Sequence, residues 1–186
     1  EERGIPIVRP DDPEQLKLYV NVVRPVSEER FPVLLIATAY RREFVRILAS
    51  DSLVSSGYAV VMLDVMGSGS SEGGWETLSA REIDDVAWIV DNWIPAQPWS
   101  NGKVGMYGPS YMGITSYLAA GRRPRHLKAI FPGVIHADTY RDIFFQGGIF
   151  EQEFMGFWAR FTLDLSFLPP TQLLAPRRGH VLEDVL

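Results

Sequence analysis

The sequence contains no cysteine. Disulfides, thiolate nucleophiles and thiolate metal ligands are excluded with it. Histidine is scarce too: His126, His136 and His180 are the only three, so a zinc site would have to use all of them or turn to carboxylates. Long hydrophobic runs are also missing. None approaches the roughly 18 apolar residues of a membrane span, and no signal-peptide pattern opens the chain. Positive charge is in short supply, with 18 Lys and Arg against 23 Asp and Glu. Without a basic block, neither a nucleic-acid nor a membrane partner is expected, and the expected location is cytoplasmic. No repeat or low-complexity segment is visible. What is present is the material of an ordinary globular domain with the start of a second: 186 residues, 46% of them hydrophobic, including ten Phe and five Trp. The first residues are Glu1-Glu2-Arg3 rather than Met, so a longer parent chain is expected.

Turn chemistry and hydrophobic periodicity divide the chain. Ile5 to Pro10 and Leu16 to Pro25 read as a pair of edge strands around Asp11-Asp12-Pro13. Pro32 to Thr38 and Tyr58 to Val65 are short, continuously apolar runs, which suits strands of a parallel sheet buried on both faces. Between them Phe44, Val45, Leu48 and Leu53 recur at near-helical spacing up to Gly57. Met66 to Trp75 is a glycine- and serine-rich loop. Ser79-Ala80-Arg81-Glu82 matches a capping box, and Ile83, Val86, Ala87 and Val90 share one face of the helix behind it. Leu127 to Phe131 is a further strand, reaching Ile135 at most. Alternating strands and helices imply a mostly parallel α/β sheet with helices on both faces, whose working residues sit at the carboxyl ends of the strands. Ala39–Arg42, Met66–Trp75 and Gly108–Tyr111 lie at those ends.

The centre of the pattern is Gly102 to Gly121. Lys103 to Tyr107 reads as a strand, and Ile114 to Ala120 as a helix closed by Gly121. Gly108-Pro109-Ser110-Tyr111 is expected to break the strand, because Pro109 has no N–H for the ladder. A serine on a turn between strand and helix resembles the nucleophile elbow of an α/β-hydrolase; the bland alternative is a helix-capping serine. Gly69-Ser70-Ser71-Glu72-Gly73 fits the G-x-S-x-G letters better, yet Ser71 is too far from a helix to sit on an elbow. Gly67-Ser68-Gly69 follows a strand as a dinucleotide-binding turn would, but Gly73 is one position late and no helix opens on it. From Asp138 the texture changes. Phe150, Phe154, Phe157, Trp158 and Phe161 fall on one helical face, either packing on a core or lining a pocket as a cap, with Pro169-Pro170 as the helix end.

Gly108-Pro109-Ser110-Tyr111-Met112-Gly113 resembles the G-x-S-Y-x-G elbow of the family of cocaine esterases, X-Pro dipeptidyl-peptidases and α-amino-acid ester hydrolases. In that family the closing glycine comes one residue late, which accounts for Met112. Gln97 to Gly105 and Asp64 to Gly73 are similar to the same family, with Met66 where the family's loop has arginine, and Asp138 to Gly148 resembles its passage into a helical cap. The resemblance implies an α/β-hydrolase core over residues 1–137, the start of a helical cap domain over 138–186, and a serine hydrolase of esters, amides or short peptides. Ser110 would be the nucleophile, the backbone N–H of Tyr111 one oxyanion donor and the Tyr40 hydroxyl the other. No cofactor and no metal is expected. The family's aspartate and histidine come after the cap, and no residue here matches them. His136, with Asp138 two residues on, is the only candidate base within the chain, and a structural histidine is the competing reading. The chain therefore reads as the front portion of a longer hydrolase, with the remainder of its own protein and a further copy of itself as expected partners. Alone it is expected to aggregate and to lack esterase activity. A hydrolase-like binding protein with an idle Ser110 and a nucleotide-binding α/β domain are the alternatives.

Overall fold

The computed structural model describes residues 1–48 and 51–167. β1 (Glu2–Val8) and β2 (Lys17–Val23) pair antiparallel as a hairpin. β3 (Phe31–Thr38) and β4 (Ala59–Asp64) run parallel to each other. β5 (Ser100–Pro109) and β6 (Leu127–Gly133) continue the parallel part. The sheet order is β1-β2-β4-β3-β5-β6. Only β1 of the hairpin is an edge; β2 lies between β1 and β4, with Val20 and Val22 wholly buried. The run expected over 44–57 is not one helix. It is a short 3₁₀ turn (Phe44–Leu48) and the one-turn helix α1 (Asp51–Ser55).

Alternation along the strands builds a core on each side of the sheet. Leu35, Val61 and Leu63 face one side, where α2 (Ala80–Trp88) contributes Ile83 and Val86. Ile36, Val60 and Met62 face the other, where Val45 and Leu53 pack. Val60, Val61, Met62 and Leu63 are all inaccessible to solvent, as a strand covered by helices on both faces requires. α2 runs on into one π turn (Ile89–Trp93), closed by the Ile94 N–H on Ile89 O at 3.0 Å.

α3 (Tyr111–Gly121) follows β5 directly. Gly121 is helical and does not close the helix. Arg122 is the cap, and the left-handed residue is Arg123, at φ 56°. Beyond β6, a π turn (Tyr140–Phe144) leads to a two-residue hairpin, β7 (Phe145–Gln146) and β8 (Ile149–Phe150), turning on Gly147 and Gly148. α4 (Gln152–Phe167) then crosses back to the strand ends. Pro169-Pro170 and His180 lie outside the described residues. No helix among those described is long and apolar enough to cross a membrane.

Candidate active site

β5 does not stop at Gly108. Gly108 and Pro109 stay in register with Pro132 and Gly133 of β6. The expectation that Pro109 would break the strand fails because backbone N–H groups alternate sides. The Ser110 N–H reaches Gly133 O at 2.9 Å, so the donor that Pro109 lacks would face β3, whose pairing with β5 ends at Leu35–Met106. The chain then turns within one residue. Ser110 takes φ 56° and ψ −130°, a region that costs a non-glycine residue on the order of 1–3 kcal/mol and survives only where surroundings enforce it. Two glycines enforce it. A Cβ at Gly108 would lie 2.4 Å from Met112 Cβ, and one at Gly113 would lie 2.5 Å from Gly133 O and 2.8 Å from Gly108 O. The late glycine of the motif is thus where α3 touches β6, and position 112 is free to carry a side chain.

Ser110 stands at the N-cap position of α3 but makes no capping bond. Its Oγ lies 3.2 Å from the Tyr40 hydroxyl. Tyr40 leaves β3 at its carboxyl end, with its own N–H on Thr38 Oγ1 at 2.9 Å. From α4, Trp158 donates its indole Nε1–H to the Tyr40 oxygen at 2.9 Å. An indole N–H can only donate, so the Tyr40 oxygen accepts from Trp158 with one lone pair and keeps its proton and its second lone pair for the contact with Ser110. The Tyr111 N–H is the first of α3, where no intrahelical acceptor exists. Phenol and amide are therefore brought beside one hydroxyl.

Above them is a cavity lined by Leu78, Ile114, Ile143, Phe144, Met155 and Trp158, with Ser110 and Tyr40 in its wall. The aromatic helix face both packs and lines: Trp158 joins the core beneath it and bounds the cavity. His136 is in the same wall, but its Nε2 bonds Thr139 Oγ1 at 2.9 Å, so Ser110 has the tyrosine and not this histidine as its partner. His126 precedes β6, at the opposite end of the sheet, and sits 3.2 Å from Asp91. Among the described residues no group of three His, Asp or Glu could hold a metal ion.

The glycine-rich loop is structural. It folds over Asp64, the last residue of β4, which is wholly buried, receives the Ser70 N–H at 3.0 Å and pairs with the buried Arg42. A Cβ on Gly69 would fall within 2.5 Å of that carboxylate, so the loop closes on its own protein atoms and leaves no phosphate cradle. Ser71, the better match to the G-x-S-x-G letters, donates to Asp64 O at 2.6 Å and accepts the Tyr19 N–H at 2.9 Å. Met66 lines a cleft with Arg9, Arg81 and Asp85, where both arginines pair with Asp85. Arg41, also buried, donates to Leu165 O at 3.1 Å and so ties the last turn of α4 to the exit from β3.

Two features escaped the sequence reading. Trp158 was legible as a helical aromatic but not as a donor to Tyr40. Glu82 was read as half of a capping box, and only the other half exists: Ser79 Oγ accepts the Glu82 N–H at 3.2 Å, while the Ser79 N–H goes to Glu76 O. The Glu82 carboxyl turns inward to Tyr111, and burial pushes it up to about 7.

A family model described as X-Pro dipeptidyl-peptidase (S15 family) matches residues 14–177. The cocaine esterase of Rhodococcus sp. (strain MB1 Bresler) is 38% identical over 133 residues, covering 68% of this chain and 22% of that one. A CocE/NonD family hydrolase from Staphylococcus aureus superposes with a TM-score of 0.77 at 29% identity, over 88% of this chain and 32% of its own. An α-amino acid ester hydrolase superposes with a TM-score of 0.58 at 28% identity, over 75% of this chain and 26% of its own. The chain thus spans about a quarter of the length of the curated relatives it matches.

Proposed function

Since the chain belongs to the X-Pro dipeptidyl-peptidase (S15) family, we propose that it carries the nucleophile and oxyanion site of a serine hydrolase that cleaves an ester or amide of an apolar acyl group. Ser110 Oγ attacks the substrate carbonyl carbon as a general base removes its proton. The carbonyl oxygen becomes an oxyanion held by the Tyr40 O–H and the Tyr111 N–H, and the C–O or C–N bond then breaks. The base returns its proton to the departing alcohol or amine, and the acyl group stays on Ser110 until water repeats the sequence. The base and its orienting acid are assigned to the part of the protein outside these residues. Residues 138 onward form the beginning of a cap, whose helix α4 both walls the acyl pocket and holds Tyr40.

The observation that carries this reading is the 3.2 Å approach of the Tyr40 hydroxyl to Ser110 Oγ, with the Trp158 N–H behind it. It leaves the phenol proton for the oxygen in front, and such a donor is worth most in a site closed to water. The cavity wall supports an uncharged acyl group. Among the described residues it includes no Asp or Glu, so it offers an α-ammonium group no counter-charge. A fluorophosphonate probe is expected to label the full-length protein on Ser110, and Ser110→Ala to abolish both labelling and turnover of p-nitrophenyl butyrate. Absence of labelling in the full-length wild type would leave a hydrolase-like binding protein in its place.

A further inference from the structure

Tyr111 is 2% exposed, and its hydroxyl uses every bonding position it has. It accepts the Trp75 indole N–H at 3.2 Å and the Leu78 amide at 3.4 Å. It donates to Glu82, whose two carboxyl oxygens both lie 2.7 Å away. One proton and two lone pairs are all that a phenol has. Glu82 is 1% exposed, and burying a carboxyl group is costly unless its bonds are made. A glutamate whose only task was to cap α2 would lie at the helix surface and reach the Ser79 N–H. This one is spent on a residue 29 positions away, the neighbour of Ser110.

The network also reaches the second oxyanion donor. The Trp75 and Trp158 rings are 5.7 Å apart, and each indole N–H serves one tyrosine: Trp75 serves Tyr111 and Trp158 serves Tyr40. The two tyrosine rings meet edge-on at 5.7 Å. Glu82 thus stands at one end of a continuous chain of contacts that ends on Ser110 Oγ.

We infer that Glu82 is a positioning residue for the oxyanion site: by anchoring the far end of the Tyr111 ring it fixes the backbone N–H next to Ser110, and through the paired indoles it also steadies the Tyr40 hydroxyl. The inference rests on the roles proposed above for Ser110, Tyr111 and Tyr40. Its physical basis is lever-like. The phenol is held by three partners, Trp75 at the end of the glycine-rich loop, Leu78 just before α2 and Glu82 in its first turn, so the ring cannot swing. The amide at the other end of the same residue then keeps its direction on a backbone that is itself strained.

The test uses the full-length protein, with fluorophosphonate labelling rates and steady-state hydrolysis of p-nitrophenyl butyrate, each measured well below the variant's Tm. Glu82→Leu is expected to lower kcat and the labelling rate at least about tenfold while KM moves less than about threefold, since the lost effect falls on the transition state. Glu82→Gln keeps an acceptor for the Tyr111 O–H and is expected to recover much of that loss. Tyr111→Phe keeps the amide and the ring and is expected to match Glu82→Leu; the double variant should be no worse than the more damaged single one. A Glu82→Leu protein that melts lower yet keeps the wild-type kcat and labelling rate would overturn the inference, as would losses that multiply in the double variant. A wild type that is never labelled overturns the serine-hydrolase reading and this inference with it; a labelled wild type with unaffected variants overturns this inference alone.

Discussion

Tyr40 has one proton to give, and Trp158 does not take it. Because the indole can only donate, the phenol oxygen is engaged from behind at 2.9 Å and its O–H remains available on the Ser110 side. Tyr40→Phe keeps the ring contacts with Tyr111 and Phe161 and removes the hydroxyl, both the proton and the acceptor of the Trp158 N–H. It is expected to lower kcat by about 10²–10³-fold with little change in KM, the usual consequence of losing one oxyanion donor, as steady-state kinetics on the full-length protein would show. Glu82 supplies a second expectation at this scale. Burial raises its carboxyl from 4.5 to about 7, with a smaller push from Asp85 and opposing help from Tyr111, Leu78 and Trp75. Between those two values the folded form holds a proton that the unfolded form has released. The group's contribution is therefore full below about pH 4.5 and is lost as pH rises to about 7, by an amount of order 3 kcal/mol. Glu82→Gln does not titrate, so the wild-type Tm should fall steadily relative to that of the variant from pH 5 to pH 7. A difference independent of pH would count against a buried, titrating Glu82.

At the scale of elements, the decisive joint is β5–α3–β6. The one-residue turn at Ser110 is possible because α3 starts immediately and lies against β6 with no side chain between them. Gly113→Ala would put a methyl group against two backbone carbonyls, Gly133 O and Gly108 O, neither of which can rotate away. Overpacking of this kind typically costs about 1–3 kcal/mol, and here relief requires α3 to shift off the strand. Gly113→Ala is expected to lower Tm and to slow fluorophosphonate labelling together, because the displaced helix carries the Tyr111 amide with it. By contrast Gly156 of α4 has open space beside it, so Gly156→Ala should leave labelling unchanged and serves as the control.

At the scale of the whole molecule, the surface is uneven. On the β1 side the edge strand is half of a hairpin and carries ion pairs such as Arg24–Glu2. On the β6 side, among the described residues, no strand follows, and Phe131 and Val134 are 78% and 81% exposed. Phe157 of α4 and Ile149 of the small hairpin add to the exposed apolar surface. An open strand edge beside such a surface is a template for association. A polypeptide of residues 1–186 alone is expected to self-associate, read by light scattering, and Phe131→Lys with Phe157→Lys to raise the monomer fraction. A wild-type segment that stays monomeric at high concentration would contradict this.

The sequence by itself determined the order of strands and helices, because apolar runs, turn residues and period are local signals. It also singled out Ser110 over Ser71, since an elbow is a strand, a turn and a helix in immediate succession. Its errors were local rules overruled by neighbours. Pro109 stays in the ladder because its missing donor faces a side where pairing has ended. β2 is interior because β4 pairs with it. Glu82 leaves its cap for a hydroxyl 29 residues away. Only the tertiary structure decided which groups meet. Tyr40, Trp75, Glu82, Tyr111 and Trp158 come from five different segments, and the hydrogen bonds and ring contacts that gather them around Ser110 depend on how a sheet brings its strand ends together, which no spacing along the chain encodes.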